Sequence, residues 1–201
     1  MQKAYRRFNK LISDTESVAV MYDYFENNVT APVDTSDLLR WQWVQYISAF
    51  DKYIHDIVRA GMMEIFLGNR APTEKYKHFP IEMNMYVDMS EDIVNAGQIF
   101  EQKIVQKHGY QAFQDPAKVA DALAYIWNES DKWAKISEKM SMEKGQCITF
   151  LKNIVIRRNQ IVHEGDYIDD ISKRQEIIAQ DVFQIRDYIK KLGTAIYECV
   201  S

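Results

Sequence analysis

Residues that interrupt regular structure are rare in this chain, which has 7 glycines and 4 prolines among its 201 residues. Glycine and proline are the strongest local signals for turns, so their scarcity leaves long regular elements joined by few turns. A fold made of many short strands would need more turns than the sequence supplies. The sequence therefore predicts helices, and its 47% hydrophobic residues are enough to fill one core.

Two segments show helical periodicity most clearly. The longest helix is expected at about 37 to 67, where the apolar residues at intervals of three and four are Ile47, Phe50, Ile54, Ile57, Val58 and Met62. The last helix is expected at about 172 to 199, with a stripe made of Ile178, Val182, Ile185, Ile189, Leu192, Ile196 and Cys199. No repeat, low-complexity tract or linker divides the chain. We therefore expect one all-α domain over residues 1–201.

Capping residues predict where the other helices begin. The N-terminal segment is expected to form one or two helices, with Ser13 and Glu16 matching a capping box. Ser90 and Ser141 are expected N-caps, and the Asp-Pro pair at 115–116 is a strong start signal. Between these starts, GNRAPTEKYKHFP is expected to be a loop.

Two further expectations concern the middle of the chain. The alternation of apolar and polar residues in IEMNMYVDM predicts a short extended piece. The helix that starts after Asp115 is expected to present an inward face made of Val119, Leu123, Ile126, Trp127, Ser130 and Trp133.

Charge and cysteine content limit the ligands and the cellular location that we expect for the protein. A formal net charge of −4 argues against non-specific binding of duplex nucleic acid, although it leaves room for a small local site. No apolar run approaches the roughly 18 residues of a membrane span, and the N-terminus lacks the apolar core of a secretory signal. Cys147 and Cys199 indicate no disulfide framework. We expect a cytoplasmic protein that does not bind membranes.

The helix expected to end near His163 carries an arginine in line with its core residues. The stripe, at intervals of three and four, consists of Ile148, Leu151, Val155 and Val162. Position 158 falls within it, and the guanidinium of Arg158 needs a carboxylate, a neighbouring subunit or an anionic ligand because it does not lose its proton. Asp51 is a candidate partner, since it lies on a second possible stripe of the longest helix.

Asn159 and His163 are four residues apart and share a helix face beside Arg158. A cation, an amide and a titratable ring at one helix end match the needs of phosphodiester cleavage, which requires proton transfer and stabilisation of charge on phosphorus. A structural Arg–His pair is the more common explanation of such spacing. Both interpretations remain open on the residues alone.

Three separated segments resemble one family of helical proteins. The decapeptide RRNQIVHEGD resembles the R-N-x-x-x-H signature of the HEPN superfamily, with Arg158, Asn159 and His163 at its three positions. Residues 43–58, WVQYISAFDKYIHDIV, resemble the long early helix of the RiboL-PSP-HEPN branch. Residues 181–196, DVFQIRDYIKKLGTAI, resemble its closing helix.

The resemblance implies a bundle of long antiparallel helices that forms a homodimer, in which the motif helices of two copies build one composite active site. It implies a metal-independent endoribonuclease without a cofactor, acting on single-stranded or loop RNA, often in toxin–antitoxin systems or defence against phage, with a possible antitoxin as partner. By this resemblance His163 is the acid–base group, Arg158 stabilises charge and Asn159 orients the histidine or the phosphate. Arg157 and Asp51 are possible supporting residues.

One departure concerns the residue after the histidine, where many family members have glycine and this chain has Glu164. A carboxylate there is a further supporting candidate, or a feature that weakens RNA binding. Two alternatives therefore stay open: a non-catalytic HEPN module for dimerisation, partner binding or nucleotide binding, and a structural bundle with a chance motif. A di-iron bundle is set aside, because none of the four histidines follows a glutamate by three residues.

The remaining histidines and one tyrosine carry weaker expectations. His55 is expected to be capped or partly exposed, with a place at the rim of the same cleft as the alternative, and His78 is assigned to a loop. His108 is explained by its position in the last turn of a helix. Tyr167, just past the motif, is a candidate for stacking on a base.

Overall fold

The computed structural model describes residues 1–30, 34–168 and 173–201, and in these ranges the chain is helical with no strand. The helices are α1 (Gln2–Asn28), α2 (Ser36–Phe66), α3 (Glu74–Lys77), α4 (Met83–Glu91), α5 (Ala96–His108), α6 (Pro116–Leu123), α7 (Lys132–Met140), α8 (Lys144–His163) and α9 (Ala179–Val200). An isolated antiparallel bridge joins Tyr167 to Arg174. The predicted all-α fold is confirmed.

The centre of the bundle is α2, which contacts α1, α5, α6, α8 and α9. The residues predicted for its inward face are all 0% exposed, namely Ile47, Phe50, Ile54, Ile57, Val58 and Met62. The predicted span of 37 to 67 agrees with Ser36–Phe66. A long helix with apolar residues on one face therefore organises the core, as its periodicity indicates.

The last helix, α9, buries most of its predicted stripe, namely Val182, Ile185, Ile189, Leu192 and Ile196. It begins later than expected, because Ile178 is its N-cap and is 49% exposed. The predicted start at position 172 lies outside the described residues. Periodicity thus located the buried face correctly and misplaced the helix start.

A glycine allows α9 to approach α1 closely. A Cβ added to Gly193 would lie 2.2 Å from Cε1 of Phe8, which is 1% exposed. The carbonyl of Gly193 also accepts a hydrogen bond of 3.1 Å from the hydroxyl of Tyr53 on α2. The glycine therefore brings three helices into direct contact.

Two of the predicted capping sites are interior to helices. Ser13 and Glu16 lie within α1, which runs without a break from Gln2 to Asn28 and buries Ala4, Phe8, Ile12 and Thr15. Ser90 lies within α4, and α5 begins after Asn95. A serine inside a helix cannot be told from a serine N-cap in the sequence. Both predicted helix starts were therefore wrong, because packing continues the helix past the serine.

The start at Asp115 is confirmed, since its carboxylate accepts the backbone N–H groups of Ala117 at 2.8 Å and Lys118 at 3.4 Å. The prediction that a single helix follows Asp115 and extends to Trp133 is wrong. α6 ends at Leu123, and Trp133 belongs to the separate α7. Ser141 does not open the motif helix either, because it is the left-handed C-cap of α7, with φ of 50°.

The prediction of an extended segment at IEMNMYVDM is also wrong, because Met83–Glu91 forms α4. Only Met85 of this helix is buried, and the helix packs on α5. A strand needs a neighbouring edge to pair with, and the described ranges offer none. In the preceding segment, expected to be loop, residues Glu74–Lys77 form the short α3. Among the described helices, none has the length and apolar content needed to cross a membrane.

Candidate active site

The helix that carries the motif, α8, has well-defined ends. Glu143 is its N-cap and accepts the N–H groups of Gly145 at 2.8 Å and Gln146 at 2.7 Å. Its last residue is His163, as predicted, and Gly165 follows with a positive φ of 63°. Helices commonly end where a glycine adopts this left-handed conformation. The motif therefore occupies the last turns of a 20-residue helix.

The buried line of α8 differs from the predicted stripe. It consists of Cys147, Leu151 and Ile154, whereas Ile148 and Val155 are partly buried and Val162 is 45% exposed. Arg158 continues the line one turn after Ile154, and its side chain is partly buried. The core ends at Ile154, so the arginine follows the core residues without entering the core.

The two adjacent arginines of the motif have different surroundings. Arg157 donates from Nη2 to Oδ2 of Asp166 over 2.9 Å and to the carbonyl of Glu176 over 3.1 Å, and it also bonds the side-chain oxygen of Gln175. Burial lowers the pKa of Arg157, and the negative charge of Asp166 opposes this effect. Arg157 is thus engaged inside the protein.

Arg158 lies beside an open groove of about 640 Å³ between α8 and the segment that leads into α6. Lys118, Lys152 and Asn159 line the same groove. Arg158 donates from Nη1 to Oδ1 of Asn159 over 3.1 Å, and its buried Nε has no hydrogen-bond partner in the described ranges. Asp115 also lines this groove, and its carboxylate is engaged in capping α6.

His163 lies one helical turn beyond Asn159 on the same face of α8, and both side chains are exposed. His163 is not among the residues that line the groove. Val162, the residue before it, is 45% exposed, and Ile156, which lies two turns earlier and lines the groove, is 56% exposed. Glu164, the C-cap, is exposed, and its N–H bonds the carbonyl of Gln160 over 2.9 Å. The end of α8 thus presents a histidine and apolar groups to the outside.

Asp51 does not pair with Arg158, although both residues belong to the described ranges. Its carboxylate accepts the backbone N–H of Phe113 at 2.5 Å. His55, one turn further along α2, bonds the carbonyl of Gln111 over 3.1 Å and packs its ring 4.5 Å from that of Phe113. Asp51 and His55 therefore hold the loop that precedes the groove wall.

His108 is buried, which the helix-end explanation did not anticipate. It is 3% exposed, and both ring nitrogens have no hydrogen-bond partner in the described chain. Burial, followed by the positive charge of His55, lowers the pKa of His108 to about 4. Desolvation therefore dominates over the helix dipole, and the ring is neutral at physiological pH.

The other sequence candidates are less directly connected with the groove. Tyr167 is 42% exposed, with the guanidinium of Arg174 5.9 Å from its ring centre. The Nδ1 atom of His78 lies 2.8 Å from the carbonyl of Glu74, at the end of α3. Within the described residues, no group of three or more His, Cys, Asp or Glu side chains is arranged to hold a metal ion.

Sequence reasoning missed two buried charged residues near the motif. Asp166 is 0% exposed, and Arg40 of α2 is 5% exposed. The Nε atom of Arg40 lies 2.7 Å from Oδ2 of Asp166, although the two residues are 126 positions apart. The acid three residues after His163 was visible in the sequence, but its distant partner was not.

These features define an all-helical protein with a cationic groove beside an exposed histidine at the end of one helix. The chain matches the RiboL-PSP-HEPN family model over residues 9–201 and belongs to that family. No curated protein matches the chain, and no solved structure matches it. Membership of this family indicates a nuclease or RNA-related function, and HEPN domains commonly dimerise.

Proposed function

We propose that this protein is a metal-independent endoribonuclease whose active site is centred on the end of α8. One observation carries the proposal: Arg158 lines an open groove and has no carboxylate partner among the described residues, whereas Arg157 is paired with Asp166. A partly buried guanidinium remains charged and favours an anionic ligand. The phosphodiester of RNA is the anion that the family indicates.

The proposed reaction needs one proton acceptor and one proton donor. The ribose 2′-OH attacks the adjacent phosphorus, so that the bond from O2′ to phosphorus forms and the bond from phosphorus to O5′ breaks. His163 accepts the proton from the 2′-OH or donates one to the leaving 5′-oxygen, giving a 2′,3′-cyclic phosphate and a 5′-OH. Arg158 stabilises the charge on the phosphorane, and Asn159, bonded to Arg158, orients the phosphate or the histidine.

A homodimer would complete this site. In one copy His163 lies outside the groove that contains Arg158 and Asn159. Val162 beside His163 and Ile156 on the groove are exposed apolar side chains in the last two turns of α8, and they favour a covering surface. Two α8 helices that meet there would supply two copies of His163, one able to act as base and the other as acid.

Single-stranded or loop RNA is the substrate we propose. The chain has a net charge of −4, so its attraction for RNA must come from a local site such as the one formed by Lys118, Lys152 and Arg158. A flexible strand can bend to bring one phosphate into a groove, whereas a regular helix cannot. We place this activity in the cytoplasm, as a toxin restrained by an antitoxin or as a defence against phage.

The alternative is a non-catalytic HEPN module that holds a dimer together or binds a partner or nucleotide. One observation favours it: His163 is outside the groove of its own chain and has Glu164 beside it. A dimer that places the two histidines far from either groove would bind RNA without cleaving it.

The test is cleavage of a labelled mixed-sequence RNA in excess EDTA by the wild type, Arg158→Ala and His163→Ala. Matched controls are Arg6→Ala and His78→Ala, which remove an exposed arginine and an exposed histidine far along the chain from α8. We expect cyclic-phosphate products from the wild type and both controls, and a loss of at least about 100-fold in the two motif variants. Equal cleavage by all five proteins would refute the assignment, and dimerisation in light scattering without cleavage would favour the module.

A further inference from the structure

Asp166 links the end of the motif helix to the central helix of the bundle. Its Oδ2 accepts from Nε of Arg40 on α2 over 2.7 Å and from Nη2 of Arg157 on α8 over 2.9 Å. The residue is 0% exposed and adopts a left-handed conformation with φ of 66°. A buried carboxylate between two guanidiniums holds both helices in a narrow range of positions, since each charge depends on the others for compensation.

The backbone of Asp166 makes a second connection. Its N–H bonds the carbonyl of Gln160 in the last turn of α8 over 3.0 Å, and its carbonyl accepts the N–H of Gln175 over 2.8 Å. The side chain of Gln175 in turn donates to that of Gln160 over 3.2 Å. Arg40 donates to the carbonyl of Gln175 over 2.8 Å. The last turn of α8, the returning chain and α2 are therefore fixed to one another around a single residue.

The motif residues stand on the turns that this network holds. Arg158 directly follows Arg157, and the helix from Asn159 to His163 contains the carbonyl that Asp166 bonds. Neither Asp166 nor Arg157 lines the groove. The network therefore acts on the groove and on His163 only through the position of the helix end. Misplacement of a reacting group by about 1 Å is enough to lower a rate roughly 100-fold.

We propose that Asp166 is a positioning residue for the nuclease site: it fixes the end of α8 so that Arg158 and His163 reach one phosphate together. This inference rests on the proposed function. It also assigns the two arginines different tasks, with Arg157 and Arg40 holding Asp166 and Arg158 serving the ligand.

The experiment compares Asp166→Asn with Asp56→Asn. Asp56 is a matched control, because it is 4% exposed and is paired with Arg7 at 3.2 Å, Lys52 at 2.6 Å and Arg59 at 2.9 Å. It lies on α2 about 24 Å along the helix axis from Arg40. Three quantities are measured: kcat for RNA cleavage, RNA affinity in a His163→Ala background, and hydrogen exchange of the amides of residues 160–168.

We expect Asp166→Asn to lower kcat roughly 10- to 100-fold, to leave RNA affinity within about twofold, and to accelerate exchange at residues 160–168. Asp56→Asn is expected to lose stability without any of these local effects. If the two variants have equal kcat and equal exchange at the helix end, positioning by Asp166 is overturned. Should Asp166→Asn not fold, Arg40→Lys replaces it, because lysine keeps the charge but lacks the planar group with which arginine reaches Asp166 from Nε and the carbonyl of Gln175 from Nη2.

Failure of the proposed function gives a different pattern. If the wild type cleaves no RNA, the nuclease is refuted, and hydrogen exchange alone decides whether Asp166 holds the helix end. Faster exchange in Asp166→Asn than in Asp56→Asn then supports the link, and equal exchange overturns it.

Discussion

Replacing His108 by leucine should remove much of the acid sensitivity of the fold. His108 is 3% exposed, and its ring lies among those of Phe79, Phe113 and Tyr125, with centre-to-centre distances of 6.0, 5.6 and 5.3 Å. Neither ring nitrogen has a hydrogen-bond partner in the described ranges. A proton added to this ring would therefore create a buried charge without compensation, at a high cost in free energy.

The magnitude follows from the pKa of His108, which burial lowers from 6.5 to about 4. Between these values the unfolded chain binds a proton that the folded chain does not, so stability falls as the pH drops below the unfolded value. Each pKa unit corresponds to about 1.4 kcal/mol. The wild type should therefore lose about 2 kcal/mol at pH 5 and about 3 kcal/mol once the pH is below 4, in addition to losses from other groups.

The assay is urea unfolding of the wild type, His108→Leu and the exposed control His78→Leu at pH 7 and pH 5. At pH 7 we expect His108→Leu to be about as stable as the wild type, because it removes buried polar atoms without partners. Between pH 7 and pH 5 the wild type and the control should lose about 2 kcal/mol more than His108→Leu. An equal loss in all three proteins would show that the ring is protonated in the folded state and would refute this reasoning.

Three further predictions concern stability and are checked by urea unfolding at pH 7. Gly193→Ala should destabilise the fold by about 1–3 kcal/mol, since the added Cβ would lie 2.2 Å from Cε1 of Phe8, and equal stability would show that α1 shifts freely. Asp115→Ala should cost about 1 kcal/mol through loss of the α6 cap, whereas Asp115→Asn should retain most of it. Arg157→Gln should lower the free energy of unfolding by about 2–3 kcal/mol, because it leaves Asp166 with a single guanidinium. If Arg157→Gln loses less stability than Arg158→Gln, the roles of the two arginines are reversed.

Long periodic segments were predictable because many residues contribute to each one. Every apolar residue assigned to the inward face of α2 is fully buried, and the buried positions of α9 follow its stripe. The start of α6 was predictable for a different reason, since an Asp-Pro pair satisfies the free N–H groups and sets the first backbone angle locally. In both cases the determining interactions lie within a short stretch of sequence.

Serine caps were poorly predicted because serine is compatible with both the interior and the end of a helix. Ser13 and Ser90 lie inside helices, and Ser141 ends α7 in a left-handed conformation. The choice depends on whether packing continues the helix, which a local pattern does not contain. The partner of Asp51 was misassigned for a similar reason: a stripe predicts which way a carboxylate faces, but not which loop supplies the N–H group it meets.

The two motif arginines illustrate why a site is harder to predict than a helix. Successive residues on a helix point about 100° apart, so one of the pair must face the returning chain and the other the groove. The motif resemblance assigned Arg158 to the ligand, but helix geometry alone does not distinguish the two arginines, because their surroundings depend on Asp166 being held by Arg40 from 126 positions away. Once that acid is buried, it engages Arg157 and leaves Arg158 with the groove. The position of one carboxylate thus determines which guanidinium is paired inside the protein and which one lines the groove.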